Sequence, residues 1–525
     1  MRSFHTPLTV IENLSRNRGD LPAVRYADPG LINNGYKTIS YAEYWNDIEN
    51  TAEIWLSILS KAGVTKGSVV GLWMKGWSYQ DLLHYLSLQR AGFIPQLFSL
   101  RMTDPSMIFE LVGKSKASAL IHEPGCETLV QDCLVPTFST NVWDTSPEPE
   151  MPLDRITTSL NPDQVSVIFH TSGSTSGMPK LVPATVKWMD CLIRKSKPGL
   201  GSDPQMVCNL MGSHAHLGNT INLTTVIAKA GCLIPPTSVP YPTSELQSMI
   251  SEGGLTVLNI FPALLSNILR DARQDEKLLA QLQSLDSIEH AGQILEPADD
   301  AWARGQGINL LNKYGSTEIG LSMISTKTSP YLVPFPESGC DFISLGEASS
   351  SPDQLLELVI PPEADDCPHP SLRNELDGKF HSGDVFQRVG DNQYLYKGRV
   401  DDRIKMQLSL ICDAGSLESE AMQVCERDFI SAVSVIGSGR PTPAMVVEPK
   451  NDDILSSGAE KLLEFKMQIV DRIAPFHKRK YLHERIDDAR LVFVVPQGTL
   501  PRTAKGNVMR KAVETQFSKE LDKAY

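Results

Sequence analysis

The sequence predicts an α/β fold in which a large N-terminal domain of layered α/β subdomains precedes a smaller C-terminal α+β domain. The 525 residues are too many for a single hydrophobic core, so we expect two or more domains. Segments typical of strands and of helices alternate through most of the length, as they do in α/β proteins. The residues after about position 400 are more charged, and we therefore expect domains at 1–399 and 400–525.

The individual elements follow from short apolar runs, typical of buried strands, that alternate with segments of helical spacing. In the large domain the predicted strands are 68–74, 93–95, 119–122, 165–169 and 255–260, and the predicted helices are 79–91 and 262–270. Residues 355–360 form a further apolar run, with Ser, Pro and acidic residues on either side. Residues 134–163 are rich in Pro, Ser, Thr and Asp, which predicts a surface linker. In the small domain we expect strands at 432–436, 444–448 and 491–495 and helices at 461–471 and 507–523.

The composition excludes several classes of function. A net charge of −13 at pH 7 argues against a general nucleic-acid binder, which needs a basic face. Nine cysteines without a CxxC pair indicate reduced thiols rather than a disulfide scaffold or a zinc site. No stretch approaches the ~18 apolar residues of a membrane span, and neither terminus carries a secretory or organelle signal. We therefore expect a cytoplasmic protein without a membrane partner.

Residues 170–180, His-Thr-Ser-Gly-Ser-Thr-Ser-Gly-Met-Pro-Lys, are the most informative segment. Glycines allow a tight turn with its backbone N–H groups pointing inward. The hydroxyls add hydrogen-bond donors, and Lys180 adds a positive charge. This set suits a polyphosphate, although Ser/Gly-rich turns are also common surface loops. Partner motifs further along the chain decide between the two interpretations.

Four further clusters follow in order. Residues 312–318 combine a ring that can stack on a purine, a hydroxyl that can donate to a phosphate and a carboxylate that can hold Mg²⁺. The same run is also typical of a plain strand-to-helix turn. Residues 380–384 place an aspartate after a glycine turn, where it can accept from two ribose hydroxyls or form an Asx-turn. Residues 398–405 are a charged run and 500–507 a lysine-bearing glycine turn, and each is also an ordinary loop.

In order and spacing, these five motifs resemble the adenylate-forming superfamily of acyl-CoA ligases, luciferases and nonribosomal-peptide adenylation domains. Segments 39–45, 92–95 and 288–293 fit as well, the last being similar to the family's glycine-containing adenine strand. The resemblance covers nearly the whole chain and implies a mobile C-terminal domain with a hinge at Asp401. It also implies the reaction, in which Mg-ATP and a carboxylic acid give an acyl-adenylate and pyrophosphate before a thiol accepts the acyl group.

The resemblance assigns the nucleotide contacts residue by residue. It implies that the β- and γ-phosphates are held by Thr171, Ser172, Gly173, Ser174, Thr175, Gly177 and Lys180. It implies that the adenine is contacted by His290, Ala291, Gly292 and Tyr314, and that the ribose is held by Asp384 and Arg399. Gly315 and Ser316 are implied to contact the nucleotide as well.

Three residues carry the chemistry in this resemblance. It implies that Thr317 contacts the α-phosphate, that Glu318 holds Mg²⁺, and that Lys505 bridges the substrate carboxylate and the AMP oxygens. A carboxylate that attacks the α-phosphorus must overcome the repulsion between two anions. Lysine, hydroxyls and Mg²⁺ neutralise the charge that grows in that transition state.

The chain departs from the family pattern at three places. The phosphate loop is one residue longer before Gly177, and Lys505 precedes its glycine instead of following it, with Lys511 as a weaker alternative. The Lys-Gly order resembles that of fungal carboxylic acid reductases of the nonribosomal-peptide-synthetase-like type. Residues 406–412 lack the glycines that line a pantetheine tunnel in the family. The sequence therefore indicates adenylation more strongly than thiol transfer.

We expect an acid without a free α-amine. Amino-acid-activating relatives hold the α-ammonium with an aspartate near the segment that is 211–219 here, yet no Asp or Glu occurs from Gln205 to Ser244. A buried ammonium without a counter-charge is costly. An aryl, α-keto or fatty acid is therefore expected. We expect His216 or His214 to face the acyl or AMP site. The alternative is that one of these histidines is a core residue. The expected substrate pocket also includes Gly315.

The expected thiol acceptor is phosphopantetheine on a carrier domain, in cis or in trans, or CoA. Residues 285–288 resemble a carrier attachment site, but they fall in the strand that leads to His290, so we reject that interpretation. Two alternatives stay open. One is a free-standing acid–CoA ligase, and the other is a catalytically weakened nucleotide-binding protein with a scaffold role, which the lengthened loop and the displaced lysine would fit.

Overall fold

The computed structural model describes residues 3–28, 35–143, 152–155, 160–171, 179–196, 205–292, 295–345, 354–399, 403–425, 429–502, 508 and 510–525. The α-helices are α1 Pro7–Asn17, α2 Tyr41–Lys61, α3 Tyr79–Arg90, α4 Pro105–Ser115, α5 Val186–Ser196, α6 Leu217–Ala228, α7 Thr243–Ser251, α8 Pro262–Ala272, α9 Glu276–Ser284, α10 Pro297–Gly305, α11 Ala414–Cys425, α12 Asp453–Ser456, α13 Ala459–His477, α14 Arg510–Gln516 and α15 Ser518–Ala524. None of the helices described combines the length and the apolar character that a bilayer crossing needs.

The strands alternate with these helices through the large part of the chain, which confirms the predicted α/β class. They are β1 Pro22–Ala27, β2 Tyr36–Ser40, β3 Val69–Met74, β4 Ile94–Ser99, β5 Ala119–His122, β6 Thr137–Ser139, β7 Val165–Thr171, β8 Lys180–Thr185, β9 Val207–Asn209, β10 Cys232–Ile234, β11 Val257–Ile260, β12 Ser287–Ala291, β13 Leu310–Ser316, β14 Gly320–Thr326, β15 Ser329–Pro334, β16 Asp341–Ser344, β17 Leu355–Ile360, β18 Phe380–Gly390, β19 Gln393–Arg399, β20 Arg403–Lys405, β21 Ile411–Asp413, β22 Ile430–Ile436, β23 Ala444–Pro449 and β24 Val492–Val494.

Local capping fixes where the early helices begin. The Ser40 hydroxyl accepts from the backbone N–H of Glu43 at 3.2 Å, and the Glu43 carboxylate accepts from the N–H of Ser40 at 2.8 Å. Ser78 and Asp81 form the same reciprocal pair at the start of α3. Each capping box satisfies two backbone donors that the helix itself leaves unpaired, and a cap of this kind stabilises a helix by about 1 kcal/mol.

A six-stranded sheet in the order β6-β5-β3-β4-β7-β8 forms one layer of the large part. Its centre is parallel, and Val70 of β3 pairs with Pro95 of β4 on one side and with Ala119 of β5 on the other. Strands buried on both faces need continuous apolar runs, which is why these strands could be predicted. The predicted linker at 134–163 is wrong in part, because β6 lies inside it and pairs with β5.

The second sheet has 13 strands in the order β16-β17-β18-β19-β15-β14-β13-β12-β11-β9-β10-β1-β2. From β10 through β9, β11 and β12 to β13 every pairing is parallel. At β14 the direction reverses, and β13 and β14 pair antiparallel. Side chains that follow the parallel strands therefore gather at one edge, which is where α/β proteins bind ligands.

The chain divides into two compact units. The first comprises 1–100, 111–170 and 181–398, and the second comprises 101–110, 171–180 and 399–525. The second unit has its own apolar core, built from β22, β23 and the helices α11 and α13. The helix expected at 461–471 is longer, and the one expected at 507–523 is two helices, α14 and α15, that meet at Phe517.

A buried ion pair braces the first unit. The Lys195 ammonium of α5 lies 2.7 Å from the Asp366 carboxylate, and both side chains are at most 2% exposed. The same ammonium donates to the backbone carbonyl of Leu321 in β14, and Asp366 accepts from the N–H of Gly339. The pair therefore joins a helix, the second sheet and the segment after β17.

We expect Lys195→Met to lower the free energy of unfolding by about 3–5 kcal/mol, because it leaves the Asp366 carboxylate buried without a partner. The double variant Lys195→Met/Asp366→Asn is expected to lose clearly less than the single variant, since no uncompensated charge stays behind. Urea unfolding followed by tryptophan fluorescence measures both. Equal losses in the two variants would contradict this account of the pair.

Candidate active site

The carboxyl ends of β12 and β13 lie side by side. His290 pairs with Asn312, and Ala291 pairs with Lys313. Beyond these pairs the residues become partly or fully exposed, at Gly292 after β12 and at 315–318 where β13 ends. The predicted adenine strand and the predicted tyrosine motif thus belong to neighbouring strands and end at the same edge of the sheet.

The segment after Tyr314 is a β-hairpin, so the alternative interpretation of 312–318 as a strand-to-helix turn is wrong. Ser316 pairs with Gly320, and 317–319 form the turn between β13 and β14. A Cβ atom on Gly315 would lie 2.2 Å from the carbonyl oxygen of Gly320, so the two backbones can approach only because position 315 has no side chain. The indole N–H of Trp188 donates to the carbonyl of Glu318 at 3.1 Å and steadies the turn.

Tyr314 and Asp384 are brought together by a buried hydrogen bond. The Tyr314 hydroxyl donates to one Asp384 carboxylate oxygen at 2.7 Å, and the Tyr396 hydroxyl donates to the other at 3.1 Å. Burial raises the pKa of the Tyr314 hydroxyl well above its ordinary value, which keeps it a donor. The Tyr314 ring packs edge-on against Phe386, with 5.0 Å between the ring centroids. Two of the predicted motifs therefore meet directly, and Tyr396, which the sequence did not single out, adds a second hydrogen bond.

Buried polar atoms near the ends of the strands lack a partner in the part of the chain that the structure describes. They are both ring nitrogens of His290 and the hydroxyl oxygen of Ser316. Burial lowers the pKa of His290 to about 4, so its ring is neutral at pH 7 and offers one donor and one acceptor. Buried polar groups are normally satisfied, and a ligand is one explanation for groups that are not.

The two histidines before α6 occupy different surroundings. His214 is buried and stacks on Tyr85 at 5.3 Å between centroids, and burial lowers its pKa to about 4. His216 is partly exposed and caps α6, where its Nδ1 accepts from the N–H of Gly218 at 3.1 Å. Its ring meets Phe261 edge-on at 5.9 Å. Of the two, His216 has the surroundings that a ligand-facing side chain needs, and His214 has those of a core residue.

The remaining predicted residues are at the margins of the described structure. Thr171 is the last residue of β7, Lys180 the first of β8, and Arg399 the last of β19. The phosphate-loop residues Ser172, Gly173, Ser174, Thr175 and Gly177, the hinge Asp401 and the lysine Lys505 lie outside the described residues. Their roles stay predictions.

One backbone position in the segment 406–412 has a conformation that favours glycine. Leu408 has φ 61° and ψ 25°, in the left-handed region, and its side chain is buried. It lies in 406–412, where the sequence lacks the glycines of the resembled family. A bulky L-residue in this region costs about 1–2 kcal/mol.

Sequence reasoning missed a buried polar cluster, which consists of Asn209, Asn259, Glu289 and Lys313. Lys313 forms an ion pair with Glu289, and its ammonium lies 3.3 Å from the Asn259 side-chain oxygen. Asn259 in turn donates its backbone N–H to the Asn209 side chain at 2.7 Å. Lys313 and Glu289 both stood inside recognised motifs, and the available signal was the two-residue spacing that puts Glu289 on the same strand face as Ala291.

Comparison with known proteins is consistent with this geometry. The sequence profile of the AMP-binding enzyme family matches residues 11–341, and that of the AMP-binding enzyme C-terminal domain matches 401–525. The AMP-binding domain-containing enzyme iboA of Amanita muscaria is 29% identical over 519 residues, which are 94% of this chain and 98% of that protein.

Two further relatives extend the comparison. The adenylate-forming reductase stbB of Stachybotrys bisbyi is 24% identical over 93% of this chain, which spans only 46% of that protein. The o-succinylbenzoate CoA synthetase MenE of Bacillus subtilis superposes with a TM-score of 0.72 at 14% identity, over 97% of this chain and 98% of that one. At this identity the likeness to MenE shows the fold.

His381, beside Ser382 in the motif at 380–384, is held between two carboxylates. Its ring nitrogens lie 3.2 Å from Glu357 and 3.1 Å from Asp377. Burial lowers the pKa of His381, but the hydrogen bonds to Asp377 and Glu357 outweigh it and raise that pKa above its ordinary value. The charged ring therefore stabilises the start of β18 at acid pH.

We expect Gly315→Ala to destabilise the hairpin strongly, because the added methyl group meets the Gly320 carbonyl. Gly305→Ala is the matched control, since a Cβ there meets nothing within 4 Å and alanine favours a helix. The midpoint of thermal unfolding should fall only for Gly315→Ala. A fall of similar size in both variants would contradict the close approach.

We expect His381→Gln to lower the midpoint of thermal unfolding by about 1–2 °C at pH 5.5 and to leave it unchanged at pH 8.5. The pKa of His381 is raised in the folded state, so its stabilisation is complete below the unfolded pKa and is lost as the pH rises through the folded pKa. Scanning calorimetry at the two pH values measures it. A loss that is as large at pH 8.5 would point to packing instead.

Proposed function

This chain belongs to the family of AMP-binding enzymes, and we propose that it converts a carboxylic acid without a free α-amine into an acyl-adenylate, with release of pyrophosphate. A phosphopantetheine thiol then displaces AMP from the acyl-adenylate, which gives the thioester. The observation that carries the proposal is the hairpin after β13. It presents a buried tyrosine, two hydroxyls and a carboxylate beside Ala291 and Gly292, at the carboxyl ends of the parallel strands.

In this proposal the nucleoside lies against the ends of β12 and β13. Gly292 has no side chain to obstruct a base, and Tyr314 supplies an aromatic ring. Asp384 holds the ribose hydroxyls. Each of its two oxygens accepts one tyrosine hydroxyl, which fixes the orientation of the carboxylate.

The hairpin turn faces the phosphates. Thr317 donates its hydroxyl to the α-phosphate, and Glu318 holds Mg²⁺ together with the phosphate oxygens, since Mg²⁺ usually takes one or two carboxylates and completes its shell with phosphates and water. Glu318 fits this role, because it offers an oxygen ligand on a partly exposed turn. When bound, Mg²⁺ neutralises charge on the reacting phosphate.

The attacking carboxylate is positioned by a lysine. We assign this role to Lys505, which belongs to the lysine-bearing glycine turn predicted at 500–507. Its ammonium offsets the charge of the substrate carboxylate and the AMP oxygens as they approach. The hinge at Asp401 and the domain boundary between 399 and 400 belong to the same proposal, and a profile match that begins at residue 401 supports them.

The acceptor is a carrier-bound thiol in cis or in trans. The chain spans less than half of the reductase stbB, which leaves room in such a protein for further domains. All nine cysteines are free thiols, which supports a reducing compartment such as the cytoplasm. Acyl transfer to free CoA without a carrier would instead identify an acid–CoA ligase.

ATP–pyrophosphate exchange tests the function and names the acid. We expect exchange with at least one acid in a panel of benzoic, α-keto and fatty acids, and none with the α-amino acids of matched chain length. Lys505→Ala is expected to abolish this exchange, while Lys511→Ala retains it. Normal exchange in Lys505→Ala would overturn the assignment of that lysine. ATP binding without exchange for any acid would identify a weakened nucleotide-binding protein.

A further inference from the structure

The buried polar cluster of Asn209, Asn259, Glu289 and Lys313 lies on the sheet face that leads to the candidate active site. Asn259 pairs with Glu289, and Ala291 pairs with Lys313, so the cluster crosses β11, β12 and β13 in register. Because side chains alternate along a strand, Glu289 shares its face with Ala291.

Exposure rises along this face toward the carboxyl ends of the strands. Asn209 and Asn259 are buried, the side chains of Lys313 and Glu289 are 8% and 11% exposed, and Ala291, on the same face, is partly exposed. The ion pair thus lies at the more accessible end of the cluster, toward the carboxyl ends of β12 and β13.

Stability is a weak reason for this ion pair to be present. A buried pair seldom stabilises a protein more than well-packed apolar residues would, because both charges lose their hydration. The pair is nevertheless well supported, since the Ser287 hydroxyl reaches Glu289 at 3.4 Å and Asn259 reaches Lys313. Such support fixes the ammonium in one place, as a recognition site requires.

The ammonium has donor capacity left for a ligand. It carries three N–H donors, and among the described residues Glu289 and Asn259 take two of them. The third can donate to an oxygen acceptor of a ligand. Lys313 is two residues from Gly315, about 6.6 Å along the strand, so the far end of a short acid can reach it when its carboxylate lies near the hairpin turn.

We propose that Lys313, held by Glu289, selects a short acid whose far end carries an oxygen acceptor, such as a keto, hydroxyl or second carboxylate group. This inference rests on the proposed adenylation and narrows its substrate class. An acid with a bare alkyl end would leave the ammonium desolvated and short of one partner. Sites built around a buried polar group reject analogues that lack its partner by large factors.

Three acids of five carbons test the selection by pyrophosphate exchange, because levulinic and glutaric acids carry the far oxygen and pentanoic acid does not. We expect kcat/KM for levulinic or glutaric acid to exceed that for pentanoic acid at least about 100-fold. In Lys313→Met/Glu289→Gln, which leaves no unpaired charge, this ratio should fall below about 3-fold. A bare acid preferred by the parent protein would overturn the proposal.

The control is the ion pair of Arg90 and Glu49, which joins α3 and α2 in the layer of the six-stranded sheet. Arg90→Met/Glu49→Gln should leave the ratio of the acids unchanged. An unchanged ratio in the Lys313/Glu289 double variant, with a lower thermal midpoint, would assign that pair a structural role and overturn the inference. If the parent protein binds ATP but exchanges with no acid at all, it is the proposed function that fails.

Discussion

The close approach of two backbones at Gly315 and Gly320 is the constraint on which the candidate site depends. Because no side chain fits between them, β13 turns straight back as β14, and the parallel part of the large sheet ends there. The turn leaves 316–318 accessible at the edge where Ala291 and Gly292 end the neighbouring strand. One hairpin therefore positions the hydroxyls and the carboxylate, while Tyr314 lies buried behind them.

The hairpin is held from both sides by groups distant in the sequence. Tyr314 reaches Asp384, so the antiparallel strand β18 is tied to the last parallel strand. On the other side, the Lys195 ammonium of α5 donates to the carbonyl of Leu321, directly after the hairpin turn, and is anchored by Asp366. Buried charge and hydrogen bonds, and not apolar packing alone, thus fix the geometry of the edge that a ligand would meet.

The family and several central strands could be predicted from the sequence, because apolar runs such as 69–74 and 257–260 and the order of five motifs are local properties. The features that depend on residues distant in the sequence could not be predicted. Strand β6 was missed because its hydrogen bonds come from β5, and the turn after β13 was misread because the return strand is imposed by the Gly315–Gly320 approach. Glu289 and Lys313 are 24 positions apart, and only the pairing of β12 with β13 reveals them as partners.

Glu289 also bears on the argument that the acid has no α-amine, which began from the lack of acidic residues at 205–244. Glu289 places a carboxylate on the same face of β12 as Ala291. The lack of acidic residues at 205–244 therefore does not by itself exclude an α-amine. The charge of Glu289 is already neutralised by Lys313, however. A substrate ammonium could use it only by displacing Lys313 and leaving a second buried cation without a partner, which costs more than it gains. An oxygen acceptor needs no such exchange, because it adds a hydrogen bond and leaves the ion pair intact.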